Sequence, residues 1–271
     1  MDSKNSHIYN IGLALSGGGA RGFAHLGAIR ALEEAGIRPD IIAGVSAGSV
    51  VACLYAAGLS VEQIINLFVD KKFNDFCEFS FSFRRLGGFF SLDKFREFIA
   101  SAIAPAVNME DLKMPTYFGV TDFDRGCRAE FHEGEITTRL AASCAVPICF
   151  QPVVIDGTAY VDGGVVRNMP AWIIRGKCRK LIGINCSPVL RRRDEGTMTD
   201  VALRSYNLMA KANQSEDLAM CDLAIEIPQI AHYKVFNLKE VNKVYIAGYS
   251  VMRKALKLSP WIQEIINQKS Q

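Results

Sequence analysis

No segment of this chain reaches the roughly 18 uninterrupted apolar residues that a membrane-spanning helix needs. The opening stretch, Met1 to Asn10, is polar and has no apolar core of the kind a secretory signal carries. The eight cysteines contain no C-x-x-C pair, and several, such as Cys53 and Cys149, sit inside apolar runs. They read as reduced, mostly structural thiols, which places the expected location in the cytoplasm, with peripheral membrane contact as an accompanying expectation. A net charge of +3, with no basic helix and no zinc-type spacing, argues against nucleic acid as a partner. Carboxylates do not cluster as a calcium site requires. Internal repeats and low-complexity tracts are absent. Histidine is scarce, at four residues, which limits where a catalytic base can come from.

What is present is an ordinary globular balance, 49% hydrophobic and 22% charged, in 271 residues. That length supports a packed core, in one large α/β domain or two small ones. A single domain over 1–271 is expected, with a motif-bearing core at about 8–230 and a helical tail at about 237–271.

The elements read as follows. An apolar run from about Ile8 to Leu15 predicts a buried strand. Ser16-Gly17-Gly18-Gly19-Ala20-Arg21-Gly22 then opens a helix carrying Phe23, Leu26, Ile29 and Leu32, ended by Gly36. A second strand, about Asp40 to Val45, runs into Ser46 and a further apolar helix. This βαβα order predicts two adjacent parallel strands. Ser60-Val61-Glu62-Gln63 matches a capping box. Phe73 to Phe90 is crowded with phenylalanines, together with Arg84, Arg85 and Gly87-Gly88, and reads either as a lid over an apolar groove or as a covering layer of the core. Ser91 is expected to cap the next helix. Strands are expected at Met114 to Thr121, at Arg128 to Phe131 as its hairpin partner, and on both sides of the Asp156-Gly157 turn. Leu181 to Cys186 and Leu223 to Ile227 read as strands, with one long helix, about Thr199 to Met220, between them. The loop from Pro188 to Thr197, with its Arg191-Arg192-Arg193 run, reads as exposed.

Gly44-Val45-Ser46-Ala47-Gly48 has the G-x-S-x-G pattern of a nucleophile elbow, a strand turning sharply into a helix with serine at the bend. Small neighbours are needed because the flanking backbones pass close, and the helix that starts there aims its free N–H groups at the hydroxyl. An acyl-transferring serine also needs an oxyanion site and a base. Gly17-Gly18-Gly19 follows an adjacent strand and would present N–H groups beside Ser46. The same glycines fit a phosphate cradle, and Gly17-x-Gly19-x-x-Gly22 matches a dinucleotide fingerprint by letter, with Asp40 as its weak acidic partner. For the base, Asp162 ends a strand before Gly163-Gly164, whereas His232 is the histidine whose order would suit a Ser-Asp-His triad. Both remain open on residue order alone, as does a non-catalytic protein that binds an acyl chain or anion.

Taken together, the glycine motif from Gly17 to Gly22, the elbow at Ser46, Ala142-Ser143-Cys144-Ala145-Val146-Pro147, and Asp156-Gly157-x-x-Tyr160-Val161-Asp162-Gly163-Gly164 resemble the patatin-like phospholipases over about Ile11 to Pro170. The resemblance implies a three-layer α/β/α sandwich with a central, mostly parallel sheet, and a serine esterase acting on lipid acyl esters through a Ser-Asp dyad. It implies Ser46 as nucleophile, Asp162 as general base, Gly17, Gly18 and Gly19 as the oxyanion loop, and Arg21 as a structural or phosphate-facing arginine. It implies no metal and no cofactor. The chain is short against the fullest family pattern, and no extra domain for recruitment to lipid is expected in it.

Overall fold

A computed structural model describes residues 8–72, 75–79, 88–189 and 197–269. The strands are β1 (Tyr9–Leu15), β2 (Ile41–Val45), β3 (Glu78–Phe79), β4 (Gly88–Ser91), β5 (Thr116–Asp122), β6 (Cys127–Phe131), β7 (Ile148–Phe150), β8 (Val153–Ile155), β9 (Thr158–Asp162), β10 (Cys178–Asn185) and β11 (Leu223–Glu226). The helices are α1 (Phe23–Glu34), α2 (Ala47–Ala56), α3 (Val61–Phe68), α4 (Asp93–Ile103), α5 (Ile136–Cys144), α6 (Ala171–Ile174), α7 (Met198–Ala212), α8 (Ser215–Ala219), α9 (Val241–Leu258) and α10 (Pro260–Lys269).

An eight-stranded mixed sheet runs β11-β10-β1-β2-β5-β9-β8, with β6 also paired to β5. The five strands from β11 to β5 are mutually parallel. Their side chains alternate between two cores, as strand geometry requires. Leu13 and Leu15 of β1 join the larger core with α1, α2 and α9, whereas Ala14 joins the smaller one beneath α6. The parallel strands are apolar on both faces because helices cover both. At α1 and α9 the coverage is very close. A Cβ at Gly27 would strike the Tyr245 carbonyl, and one at Gly248 the Ala24 carbonyl, so these two glycines let the helix backbones meet.

Several expectations change in the structure. The long helix expected over about Thr199 to Met220 is two helices, α7 and α8. The chain breaks between them because Gln214 is buried and its side-chain carbonyl accepts from Asn185 (2.9 Å), which fixes the second segment separately. Ser91 does not cap α4. It lies in β4, paired with Glu78, and Leu92 occupies the N-cap. The capping box at Ser60 and Gln63 is present as expected, as are the β5–β6 hairpin and the β8–β9 hairpin around Asp156 and Gly157. In the phenylalanine-rich stretch, Phe73, Phe81, Phe83, Arg84, Arg85 and Gly87 lie outside the described residues, as do Arg191, Arg192 and Arg193.

Candidate active site

β1 and β2 are adjacent and parallel, with Leu15 level with Gly44, so the turns that follow them emerge side by side. A Cβ at Gly17 would lie 3.3 Å from the Ser46 Cβ, which measures how closely the two turns approach. Ser46 has φ 53° and ψ −123°, a backbone conformation that non-glycine residues rarely adopt. The bend leaves no room for bulk. A Cβ at Gly44 would collide with the Gly48 and Ser49 backbone, and one at Gly48 with the Leu15 carbonyl. α2 begins at Ala47, directly after the serine, so its N-terminal dipole points at the hydroxyl.

The strained turn is held from below by Ser143, at the end of α5. Its Oγ accepts the Ser46 N–H at 3.0 Å and donates to the Gly119 carbonyl at 2.8 Å. Because its one proton goes to Gly119, the 2.8 Å contact with Ser49 Oγ is one in which Ser49 donates. Ser143 lies in the quoted Ala142–Pro147 motif, but its spacing alone gave no sign that it anchors the elbow.

Asp162 approaches Ser46 from across β5, and β9, which ends in Asp162, is antiparallel to β5. In β5, Gly119 is level with Val45, and the next residue, Val120, is level with Asp162. The residue after Val45 and the last residue of β9 therefore sit at the same height on either side of β5, approached from opposite directions. A Cβ at Gly163 would lie 2.6 Å from the Gly119 carbonyl and 3.1 Å from a Val45 methyl, so the glycine permits this approach.

The Asp162 carboxyl is fully buried. Oδ1 accepts from the Gly164 N–H at 2.8 Å and from the Tyr206 hydroxyl at 2.9 Å. Oδ2 is buried without a hydrogen-bond partner. Burial pushes the carboxyl up to about 6, against the Ser46 hydroxyl, the Gly164 N–H and Tyr206, which pull it down. Ser46 is thus close enough to act on the carboxyl, while the contact falls short of a well-formed hydrogen bond to Oδ2.

The glycine loop divides. The Gly17 N–H donates to the Asn168 carbonyl at 3.2 Å and so is already committed, while no acceptor occupies the Gly18 and Gly19 N–H groups among the described residues. Gly17 is clamped further through its carbonyl, which accepts from Ser187 Oγ, and Ser187 in turn accepts from Asn168 Nδ2 at 3.0 Å. His25 braces the same loop from beneath. Its Nε2 donates to the Ser16 carbonyl at 2.8 Å, which leaves Nδ1 to accept from the Cys186 thiol at 3.3 Å. Burial lowers this histidine to about 4, so it stays neutral near pH 7. Arg21 donates to the carbonyls of Tyr233 (2.9 Å), Pro188 (3.1 Å) and Ala231 (2.9 Å), a structural strap across the segment that covers the loop.

The other histidines stand apart. His232 is exposed and packs at a tilt against Tyr233, with ring centroids 4.1 Å apart. His132 is exposed and stacks on Tyr117. No described histidine contacts Asp162, whose hydrogen-bond partners are Gly164 and Tyr206.

Ser46, Gly18 and Gly19 form the polar end of an apolar groove of about 190 Å³. Phe68, Phe76, Phe95 and Phe150 line it, and Leu203 and Tyr206 of α7 close one side. Phe76 packs against Phe68 and Phe98 at centroid distances of 5.6 and 5.0 Å, so this described part of the phenylalanine-rich stretch does face the groove. Tyr206, Asn168 and Ser187 were not singled out from the sequence. Tyr206 and Ser187 lie where the family resemblance is weak, and no local motif marks any of the three.

Comparison with known proteins bears on the family and the fold. Residues 13–174 match the model of the Patatin-like phospholipase family. Lysophospholipase nte1 of Aspergillus niger is 33% identical over 181 residues, which is 62% of this chain and 11% of that protein. Neuropathy target esterase sws of Drosophila melanogaster is 31% identical over 176 residues, 61% of this chain and 12% of that protein. The chain thus spans only about a tenth of the length of these relatives. Among solved structures, VipD from Legionella pneumophila superposes with a TM-score of 0.63 at 16% identity, covering 94% of this chain and 67% of that one, which establishes a shared fold. With the family model matched over more than half its length, this chain belongs to the patatin-like phospholipase family.

Proposed function

We propose that this protein is a serine hydrolase that cleaves acyl esters of lipids through a dyad of Ser46 and Asp162. The observation that carries the reading is a serine on a strained elbow at the polar end of an apolar groove, beside a buried carboxylate whose Oδ2 lacks a partner. Ser46 Oγ attacks the acyl carbonyl carbon and its proton passes to Asp162. The carbonyl oxygen becomes an oxyanion facing the Gly18 and Gly19 N–H groups, the two loop donors left free. Collapse of the intermediate expels the alcohol, which takes the proton from Asp162. A water then gives its proton to Asp162 and attacks the acyl-serine, and Ser46 leaves with that proton as the fatty acid is released. A carboxyl raised to about 6 is a stronger base than an ordinary one, yet ionised near pH 7. The groove supplies the acyl chain with an apolar site. His232 has no part in this mechanism.

The substrate class is supported by the relatives named as a lysophospholipase and an esterase. Contact with a lipid surface is supported by the outer face of α7, where Met198, Val201, Leu208 and Met209 are exposed, on the helix whose other side, with Leu203 and Tyr206, lines the groove. A cytoplasmic setting is supported by eight free thiols.

The test is labelling with a fluorophosphonate probe, together with hydrolysis of nitrophenyl esters of increasing chain length. Wild type is expected to label and to prefer longer chains. Ser46→Ala is expected to do neither, and Asp162→Asn to lose about three orders of magnitude or more in kcat with KM little changed. Labelling that survives in Ser46→Ala would remove the serine from the chemistry.

A further inference from the structure

The two oxygens of Asp162 are treated differently by the fold. Oδ1 receives two donors, the Gly164 N–H and the Tyr206 hydroxyl, and Oδ2 receives none. A free aspartate does not keep its oxygens distinct, because the last torsion of its side chain is broad and two-fold. For a proton acceptor the distinction matters, since the oxygen facing the nucleophile has to be unoccupied and held in line with it. The Gly164 N–H cannot do this alone. It lies two residues along the same turn and follows any movement of the Asp162 backbone. Tyr206 lies on a different element, α7, 44 residues along the chain. α7 begins at Met198, beyond the residues 13–174 that match the family model.

We propose that Tyr206 is the positioning residue for the base: its hydroxyl pins Oδ1 of Asp162, so that Oδ2 stays open toward Ser46. The inference rests on the reading of Asp162 as general base. The local packing fits the role. Gly164 has no side chain, and a Cβ there would strike the phenol oxygen, so the glycine makes room for the contact. Tyr206 also lines the groove next to Ser46, which places the anchor at the reacting centre. The hydroxyl stabilises the ionised carboxyl as well as orienting it.

The Ser46 hydroxyl faces the carboxyl from the elbow, and the titratable groups acting with it are Tyr206 from α7 and the Cys144 thiol from α5, with Cys149 acting on Tyr206. Burial holds Tyr206 and Cys144 well above their ordinary values, so Asp162 is the member of this group whose charge changes near pH 6. Among the described residues, no lysine, arginine or histidine acts on Asp162.

Tyr206→Phe keeps the ring and removes the hydroxyl, which makes it the decisive variant. Two measurements read it. The first is the pH dependence of ester hydrolysis. The acid limb of kcat/KM is expected to move upward by about one to two pH units, the size of a lost hydrogen bond to a charged group. Activity should fall at least about tenfold below pH 6, recover most of the way by pH 9, and leave KM little changed. The second is direct titration of the Asp162 carboxyl by carbon-13 NMR, assigned with Asp162→Asn, which reads the anchor whether or not an ester turns over. Wild type is expected to titrate near 6 and Tyr206→Phe higher. Gly164→Ala, which displaces the phenol oxygen but keeps its ring, is expected to shift the titration in the same direction and guards against misfolding of the first variant. A carboxyl titration unmoved in both variants, or a loss of activity equal at every pH, would overturn the role of Tyr206 while leaving the dyad standing. A wild type that hydrolyses no ester and takes up no probe would overturn the base reading itself.

Discussion

The two groups proposed to react, Ser46 and Asp162, are both held in costly states, and the costs differ in kind. Ser46 is strained through its backbone, with φ 53° at a non-glycine residue. Asp162 keeps a negative φ, −48° with ψ 132°, outside the left-handed region, and is strained electrostatically by complete burial. The proposed nucleophile, Ser46, is set mainly by its neighbours in the chain: glycines on both sides, a strand before and a helix after. The proposed base, Asp162, is set by distant partners, Tyr206 on α7 and the β5 register that carries it to the height of Ser46. Backbone strain travels with a short motif, whereas a carboxylate's environment is assembled from segments far apart in sequence. Each kind of strain gives a different signature when it is relieved.

The largest expected effect lies on the Asp162 side. Its carboxyl ordinarily titrates at 3.8 and here at about 6, a gap worth about 3 kcal/mol. The sign follows from linkage. Below 3.8 the carboxyl is protonated in both folded and unfolded chains and carries no penalty. Between 3.8 and about 6 the unfolded chain ionises first, so the folded state loses stability as pH rises, and above about 6 the loss is complete. Asp162→Asn removes that group. It should therefore be more stable than wild type at pH 8, by several degrees in Tm for a chain of this size, with the advantage fading toward pH 4. Thermal melts of the two proteins across that range check it. An advantage that is constant with pH would show that the gain has nothing to do with charge.

Ser143 links the two regions and gives the next largest effect. One buried hydroxyl satisfies the Ser46 N–H, the Gly119 carbonyl and the Ser49 hydroxyl. Ser143→Ala leaves these groups without that partner, and a buried unpaired polar group costs about 1–3 kcal/mol. The expected result is a loss of about 2–3 kcal/mol in urea unfolding together with a kcat at least about tenfold lower, because the elbow loses its anchor. Ser143→Thr, which keeps the oxygen, should recover more of the kcat than of the stability, since its added methyl must fit a fully buried site. An alanine variant as active and as stable as wild type would show that the elbow needs no support from α5.

This contrast explains what could be read from the sequence. The adjacent parallel strands, the elbow, the capping box at Ser60 and the hairpin at Asp156 are local patterns with a fixed period or a fixed turn chemistry, and each appears where the residues put it. The antiparallel arrival of β9 was not legible, because strand direction depends on which edge of the sheet the chain returns to. The Tyr206 contact was not legible either, since one tyrosine in a polar helix carries no mark of its partner 44 residues away. The glycine loop was legible as a loop, but not in its division of labour. That Gly17 spends its N–H on Asn168 while Gly18 and Gly19 keep theirs depends on a chain segment more than 140 residues downstream. The break between α7 and α8 came from a buried Gln214, whose tertiary partner outweighed a continuous helical pattern.

The smallest expected effect isolates the backbone strain at the elbow. Ser46→Ala and Ser46→Gly both remove the hydroxyl, so both should be inactive and both lose the same contact with Asp162. They differ only by a Cβ. At φ 53° and ψ −123° alanine keeps the steric cost that serine bears, and glycine does not. Glycine also has more freedom in the unfolded chain, which offsets part of the gain. Sparsely populated backbone states cost about 1–3 kcal/mol, so after the offset Ser46→Gly should exceed Ser46→Ala in stability by about 1 kcal/mol, or about 2–4 °C in Tm. The difference should be the same at pH 5 and pH 8, because no charge is involved, and in that respect it is opposite to the Asp162→Asn effect. An alanine variant equal to or more stable than the glycine variant would mean that the elbow is not strained, and that its glycines serve close approach alone.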